Sequence, residues 1–330
     1  MRDRLQQMEQ WLNGLGYQNY RLSSASEDAS FRSYQRLQMG LESWVVMDAP
    51  PDQEPCDSFI DIATRLRRAG LSAPEVIAQN LEQGFLLITD FGATPYLCAL
   101  DADSEGALYA DALAALLQIQ IKVSSSNLPA YDEALLLQEM DLFHDWFLGE
   151  LLGIELNQSQ KNQWHSIQEI LVQNAFDQPQ LFVHRDYHSR NLMKIDQGNP
   201  GIIDFQDAVK GPITYDLVSL LRDCYIDWPV ARVEQLAFEY YRVATDRALI
   251  DVGADQFLNW FNLMGLQRHL KAIGIFSRLS IRDGKNGYLK DIPRTLNYLS
   301  QVSANEQSMA GLSSLIAELD LNKRIKAIIE

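Results

Sequence analysis

The chain has 330 residues, with 44 acidic against 28 basic and a formal net charge of −16. Such a surface repels phosphate backbones and anionic lipid, so neither nucleic acid nor a membrane is expected as a partner. Apolar residues make up 47% of the chain, enough for a sizeable core in one large domain or two lobes. Cys56, Cys98 and Cys224 lack metal-ligand spacing and are odd in number, which fits free thiols in a reducing compartment. The opening MRDRLQQMEQWLNGLG is too charged for a secretion signal, and no apolar run approaches membrane-spanning length. A soluble cytoplasmic protein is expected, with no obligatory protein partner evident.

Residues 2–14 read as an amphipathic helix with Met8, Trp11, Leu12 and Leu15 on one side, closed by Gly14 or Gly16. Alternating or apolar runs at 31–37, 44–47, 76–78 and 85–88 read as strands, interrupted by a helix at about 56–68. Strands with one inserted helix make a small α+β unit. Beyond Gly92 the pattern turns helical, first with Leu108, Ala112, Ala115 and Ile119 on one face. Further helices are expected at roughly 132–148, 158–174, 215–226, 230–247, 254–279 and 305–318. There is no internal repeat and no low-complexity tract.

The most informative stretch is 183–207, VHRDYHSRNLMKIDQGNPGIIDFQD. It holds His184-Arg185-Asp186, then Asn191 five residues after the aspartate, then Asp204-Phe205 thirteen after the asparagine. Apolar runs at 192–195 and 201–203 flank a Gly/Pro-rich turn, which predicts two short strands with a polar group at each open end. This order and spacing match the kinase signature H-R-D-x-x-x-x-N followed by D-F. Asp186 would accept the proton of an attacking hydroxyl, while Asn191 and Asp204 would supply hard oxygen ligands for Mg²⁺ on the phosphates. Singly, each residue has an ordinary reading: His184 as a loop-fixing hydrogen bonder, the aspartates as solvated turn acids. The three-part spacing outweighs those readings.

The same stretch resembles the aminoglycoside phosphotransferase and choline kinase superfamily, small-molecule kinases with a protein-kinase-like fold. Within it, HRDYHSRNLM and IIDFQDAVKGPITYDLVSLLRDCYIDWP are most similar to the anomeric amino-sugar kinases of bacterial cell-wall recycling. The blocks SEDASFRSYQRL with VVMDAPPDQE, and LQRHLKAIGIFSRLSIRDGKNGYLKDIPR, extend that similarity along most of the chain. The resemblance implies an α+β, bilobal fold with a small β-rich N-lobe at 1–91 and a larger, mainly helical C-lobe at 92–330. It implies ATP and Mg²⁺ as cofactors, and phosphorylation of the C1 hydroxyl of N-acetylmuramate or N-acetylglucosamine in peptidoglycan recycling.

By position, the loop at 27–32 is then the phosphate loop, with Ser30, Phe31 and Arg32 as nucleotide contacts. It contains no glycine, so close approach to phosphate relies on small Ala29 and Ser30. Protein kinases place a lysine in the third strand, but 44–49 reads WVVMDA here. Arg32 is the first candidate to replace that cation, although it reads equally as a solvated strand residue. The backbone at 89–91, around Asp90, is the expected hinge for the adenine edge. Gln206 follows Asp204-Phe205 where protein kinases have glycine, so a flipping metal loop is not expected.

On the acceptor side, 268–294 carries seven basic residues against two acidic ones in an otherwise acidic chain. A sugar bearing a lactyl carboxylate suits such a wall, whereas a cationic aminoglycoside does not. Arg268 and His269, mid-helix, are the residues expected to point inward; the other charges read as a solvated face. His188 is expected among the acceptor-binding residues, where it orients the loop or touches phosphate or else packs, and Asp223 is expected to bind sugar hydroxyls. Two rival readings remain: another small-molecule kinase acting on an aminoglycoside or amino alcohol, and a pseudokinase binding module. A binding module has no need of Asp186, Asn191 and Asp204 together.

Overall fold

The computed structural model describes residues 2–26 and 32–329. The first half contains α1 Arg2–Gly14, β1 Arg21–Ser26, β2 Ser33–Met39, β3 Glu42–Asp48, α2 Asp57–Arg68, β4 Val76–Asn80, β5 Phe85–Thr89, α3 Tyr96–Ala99, α4 Glu105–Lys122, α5 Glu133–Leu142 and α6 Gln158–Phe176. There follow β6 Gln180–Val183, β7 Leu192–Met193, β8 Gly201–Ile202, β9 Val209–Pro212, α7 Tyr215–Leu221, α8 Val230–Asp246, α9 Ala254–Asp283, α10 Ile292–Asn305, α11 Ala310–Glu318 and α12 Leu321–Ile329. The result is α+β, a small antiparallel sheet unit and a larger unit built mostly of helices. None of the described helices is long and apolar enough to cross a membrane.

One compact unit comprises Met1–Val123 together with Arg190–Asp207. Its five-stranded sheet has the order β1-β2-β3-β5-β4, and every pairing is antiparallel. Side chains alternate across a strand, so Leu37, Val46, Phe85 and Leu87 share one face, where Met8 and Leu12 of α1 bury them. The intervening Met47 and Leu86 are buried as well, which explains why β5 reads as an unbroken apolar run. Helix α2 buries Phe59, Ile62, Ala63 and Leu66 at helical spacing, and the Phe59 ring lies 5.0 Å from that of Phe205. Packing continues past residue 91: the amide of Lys194 donates to Thr94, and that of Ile202 to Ser72. The hairpin β7–β8 therefore belongs to the sheet unit, and a Cβ at Gly201 would come within 2.8 Å of the Phe91 ring.

The other unit comprises Ser124–Ser189 and Ala208–Glu330. Its axis is α9, thirty residues long and buried on more than one face, since α5, α6, α7 and α10 all pack against it. Strands β6 and β9 pair antiparallel, with Val183 opposite Val209, and bring the chain to His184 at the edge of this helical body.

The helices expected at 158–174, 230–247 and 254–279 are α6, α8 and α9 with small changes at their ends. The one expected at 132–148 divides, because α5 passes into a π-helical segment at Phe143–Leu151. The one expected at 215–226 stops at Leu221, since Arg222 leaves the helix at φ −117 and ψ 49. Helix α10 was not anticipated; Pro293 sits in its first turn, where proline is tolerated.

Close approach of α5 and α9 depends on Gly274, where a Cβ would stand 2.3 Å from the carbonyl carbon of Leu142. The obstacle is main chain and cannot swing aside. Overpacking of this kind costs about 1–3 kcal/mol, so Gly274→Ala should lower the melting temperature by roughly 2–12 °C. A scanning-calorimetry shift under 1 °C would mean that the two helices separate freely.

Candidate active site

In the helical unit the site starts where β6 ends. Arg185 lies at φ +77, in the left-handed region that non-glycine residues seldom occupy. Two hydrogen bonds hold that turn: Asp216, in the first turn of α7, accepts from the amide of His184 at 2.7 Å and from that of Arg185 at 3.0 Å. The fully buried His184 ring adds a third, its Nδ1 accepting from the Asp186 amide at 3.2 Å. His184 is thus the loop-fixing residue of the ordinary reading. The half-buried Asp186 carboxyl emerges from this frame. Burial raises its pKa, but the charges of Lys271, His188, Arg268 and His184 outweigh burial and hold it below the usual carboxylate value. It is ionised at neutral pH, as a proton acceptor must be.

His188 is buried, its ring edge-on to Tyr225 with centroids 5.5 Å apart, and its amide donates to the Asp186 carbonyl at 3.0 Å. Asp223 differs from the expectation that it meets sugar hydroxyls. Its two carboxylate oxygens accept from the amides of Ser189 and Tyr225, each at 2.9 Å, and only 1% of the residue is exposed. It staples the far end of the loop, as Asp216 staples the near end. His269 also lies in the core. Its ring stacks on Tyr298 at 4.9 Å, its Nε2 bonds the Arg222 carbonyl, and burial drives its pKa down to about 3, so it is neutral.

Arg268 does point inward, and Lys271 with it, which the solvated-face reading had not foreseen. Arg268 is 6% exposed; Nη1 reaches Cys224 Sγ at 3.8 Å, and its Nε has no hydrogen-bond partner among the described residues. Lys271 Nζ lies 2.9 Å from Glu139 and 3.0 Å from the Tyr215 hydroxyl. Glu139 also receives Arg185 and the Tyr131 hydroxyl. Glu139 and Lys271 were missed because a helical glutamate and lysine read from sequence as surface residues.

In the sheet unit, Asn191 ends at the start of β7 and Asp204 lies just beyond β8, so the hairpin brings them together. Asn191 Nδ2 donates to Asp204 Oδ2 at 3.0 Å, and Gln206 Nε2 to Asp204 Oδ1 at 2.8 Å. Asp204 sits at φ +63. Two hard oxygen donors side by side fit a divalent cation shared with phosphate oxygens. Among the described residues no cluster of three His, Cys, Asp or Glu forms a metal cage by itself.

Also in this unit, Asp90 is clamped by Arg36, Nε to Oδ2 at 2.6 Å and Nη2 to Oδ1 at 3.1 Å, and it accepts the Gly92 amide at 2.9 Å. The clamp fixes the main chain at 90–92, part of the stretch expected from the sequence to face a base. Arg32 is 7% exposed and pairs with Glu54 at 2.6 Å. It stands one residue before Ser33, which is opposite Asp48 at the end of β3, so a buried cation does lie beside the lysine-less strand. Ser30 and Phe31 fall outside the described residues.

The profile of the phosphotransferase enzyme family matches residues 21–250, and the chain belongs to that family. It is 43% identical to N-acetylmuramate/N-acetylglucosamine kinase of Pseudomonas putida, over 97% of this chain and 98% of that one. The Pseudomonas aeruginosa protein of the same name is 46% identical over 90% of this chain and 88% of its own. Among solved structures, an ADP-bound aminoglycoside phosphotransferase superposes with a TM-score of 0.57 at 18% identity, covering 88% of this chain and 96% of that one.

The Asp216 staple carries a pH signature. Burial, aided by the Asp186 charge, pushes its pKa up to about 7 against the two amide hydrogen bonds. An acid whose folded pKa is raised contributes stability that is complete below the unfolded value and is lost as pH rises through the folded one. Between pH 5 and 8 the wild type should therefore lose up to about 3 kcal/mol more stability than Asp216→Asn. Urea titrations of both proteins at the two pH values measure this, and parallel losses would remove the assignment.

Proposed function

We propose that this chain transfers the γ-phosphoryl group of ATP to the anomeric hydroxyl of N-acetylmuramate and N-acetylglucosamine. The observation that carries the reading is a complete Asp186, Asn191 and Asp204 set in a chain 43% identical, over 97% of its length, to a kinase of that name. Asp186 accepts the proton of the acceptor hydroxyl. An anomeric hydroxyl is more acidic than an ordinary alcohol, so a carboxylate of depressed pKa is a sufficient base. Asn191 and Asp204 would hold Mg²⁺, which, when bound, neutralises charge on the transferred group and supplies most of the electrostatic catalysis.

Nucleotide binding is assigned to residues 1–91, with the hinge at Asp90 and the phosphate loop around Ser30, Phe31 and Arg32. The buried Arg32–Glu54 pair supports Arg32 in the role that protein kinases give to a lysine paired with a glutamate. Acceptor and metal chemistry belong to 92–330. The acidic surface and free cysteines favour a cytoplasmic place in cell-wall recycling. Buried Arg268 and Lys271 beside Asp186 disfavour a cationic aminoglycoside or choline as the acceptor. Of the residues first expected at the sugar, Arg268 keeps the strongest claim, with His188 next; Asp223 and His269 serve the loop and the core.

ATP consumption measured against amino sugars, choline and aminoglycosides tests the acceptor class. Asp186→Ala should lower kcat roughly 10²–10⁴-fold while leaving ATP affinity within a few-fold. Retention of half the wild-type kcat is incompatible with a base at this position.

Substrate charge supplies a second test. If the Arg268 guanidinium meets the lactyl carboxylate, its loss removes a charge-assisted hydrogen bond of about 1.5–3 kcal/mol. Arg268→Ala should then lower kcat/KM for N-acetylmuramate roughly 10–100-fold, and alter the neutral N-acetylglucosamine only a few-fold. An equal fall for both sugars would mark a packing defect; no fall for either would place Arg268 outside the pocket.

A further inference from the structure

Arg185 joins two features that seldom coincide: a left-handed backbone at φ +77 and a side chain drawn into a buried ionic cluster. The cluster centres on Glu139 of α5, which is 5% exposed and 46 positions away in the chain. Glu139 receives Arg185, Lys271 Nζ at 2.9 Å, the Tyr131 hydroxyl and Gln267 Nε2 at 3.4 Å. One carboxylate thus answers two cations that come from different elements. Tyr215 closes the ring, its hydroxyl 3.0 Å from Lys271 Nζ and its aromatic face edge-on to Tyr131.

The main chain of Arg185 is fixed from the opposite direction, by Asp216 Oδ1 on its amide at 3.0 Å. The residue is therefore held at both ends, immediately before Asp186. A return to an ordinary φ at Arg185 would rotate everything beyond it and carry the Asp186 carboxyl away.

We propose that Glu139 is a positioning residue for phosphoryl transfer: through Arg185 it secures the left-handed turn that aims Asp186, and through Lys271 it fixes a cation whose charge acts on that aspartate. The inference rests on Asp186 being the base. Glu139 also keeps Lys271 charged against burial, and Lys271 heads the charges that lower the Asp186 pKa. An ordinary buried ion pair would stabilise the fold without favouring any step of the reaction, and this difference can be measured.

The test is steady-state kinetics on the full chain, with ATP and the amino sugars. Glu139→Gln keeps the side-chain volume and removes the charge. It should lower kcat roughly 10–100-fold, the scale of an ångström-level misplacement, with KM for ATP and sugar within about three-fold. Glycine adopts positive φ without strain, so Arg185→Gly should turn over faster than Arg185→Gln, which loses the anchor but keeps the strained turn. That comparison remains decisive where Glu139→Gln does not fold. Adding Glu139→Gln to Arg185→Gly should cost less than Glu139→Gln costs the wild type, because the Arg185 anchor is already gone and only the Lys271 contact is left to lose. Turnover of Glu139→Gln within two-fold of wild type, full additivity in the double variant, or Arg185→Gln outpacing Arg185→Gly would each overturn the proposal. A wild-type chain that phosphorylates no acceptor overturns the functional reading, and this inference with it. A working wild type with unaffected variants overturns this inference alone.

Discussion

The loop that carries Asp186 depends on one carboxylate, that of Asp216, accepting from two consecutive main-chain amides at His184 and Arg185. The left-handed turn at Arg185, φ +77, follows directly on those two amides and is held by them. A carboxylate suits the position because it brings two acceptors and no donor. An amide would set its own N–H₂ against one of the amides it has to bind. The arrangement is costly, since a buried acid loses hydration, and the raised pKa of Asp216 measures that cost. It is kept because the loop leaves β6 with no regular structure to stabilise it.

Electrostatics in this unit follow from the same burial. Asp186, Asp216 and Asp223 converge on a short loop, and like charges in a poorly hydrated space repel strongly. Helix α9 answers with Arg268 and Lys271, one turn apart. The match is not one to one: Lys271 and Arg185 share Glu139, while Arg268 reaches the Cys224 thiol and its Nε has no hydrogen-bond partner among the described residues. A cation in that condition suits an anionic ligand. Its position is rigid, because α9 is buried along most of its length and interlocked with α5 at Gly274.

The sheet unit, whose third strand carries no lysine, fixes its main chain with ion pairs of its own. Arg36 holds Asp90 in two-point geometry and also donates to the Gly92 carbonyl at 2.8 Å, which fixes the main chain from Asp90 to Gly92. Arg32 with Glu54 puts a buried cation at the entrance to β2. The hairpin β7–β8, with Phe91 against Gly201, ties Asn191 and Asp204 to the same sheet body.

Much of this was legible in the sequence, for identifiable reasons. Asp186, Asn191 and Asp204 lie within nineteen consecutive residues, so spacing alone encodes their arrangement. Strand alternation and helical periodicity are local as well, and β2, β3, α2, α6, α8 and α9 follow them. Glu139, Lys271, Arg36 and Glu54 could not be read in that way. Each is a charged residue on an ordinary element, and such residues are usually solvated. Nor does any local pattern tell that Asp223 and His269 serve the loop and the core. Which charges are buried, and against which partner, depends on contacts between residues such as Arg185 and Glu139, 46 positions apart. Local sequence therefore determined the chemistry on offer, and tertiary packing decided which charged groups lost their water and had to find one another.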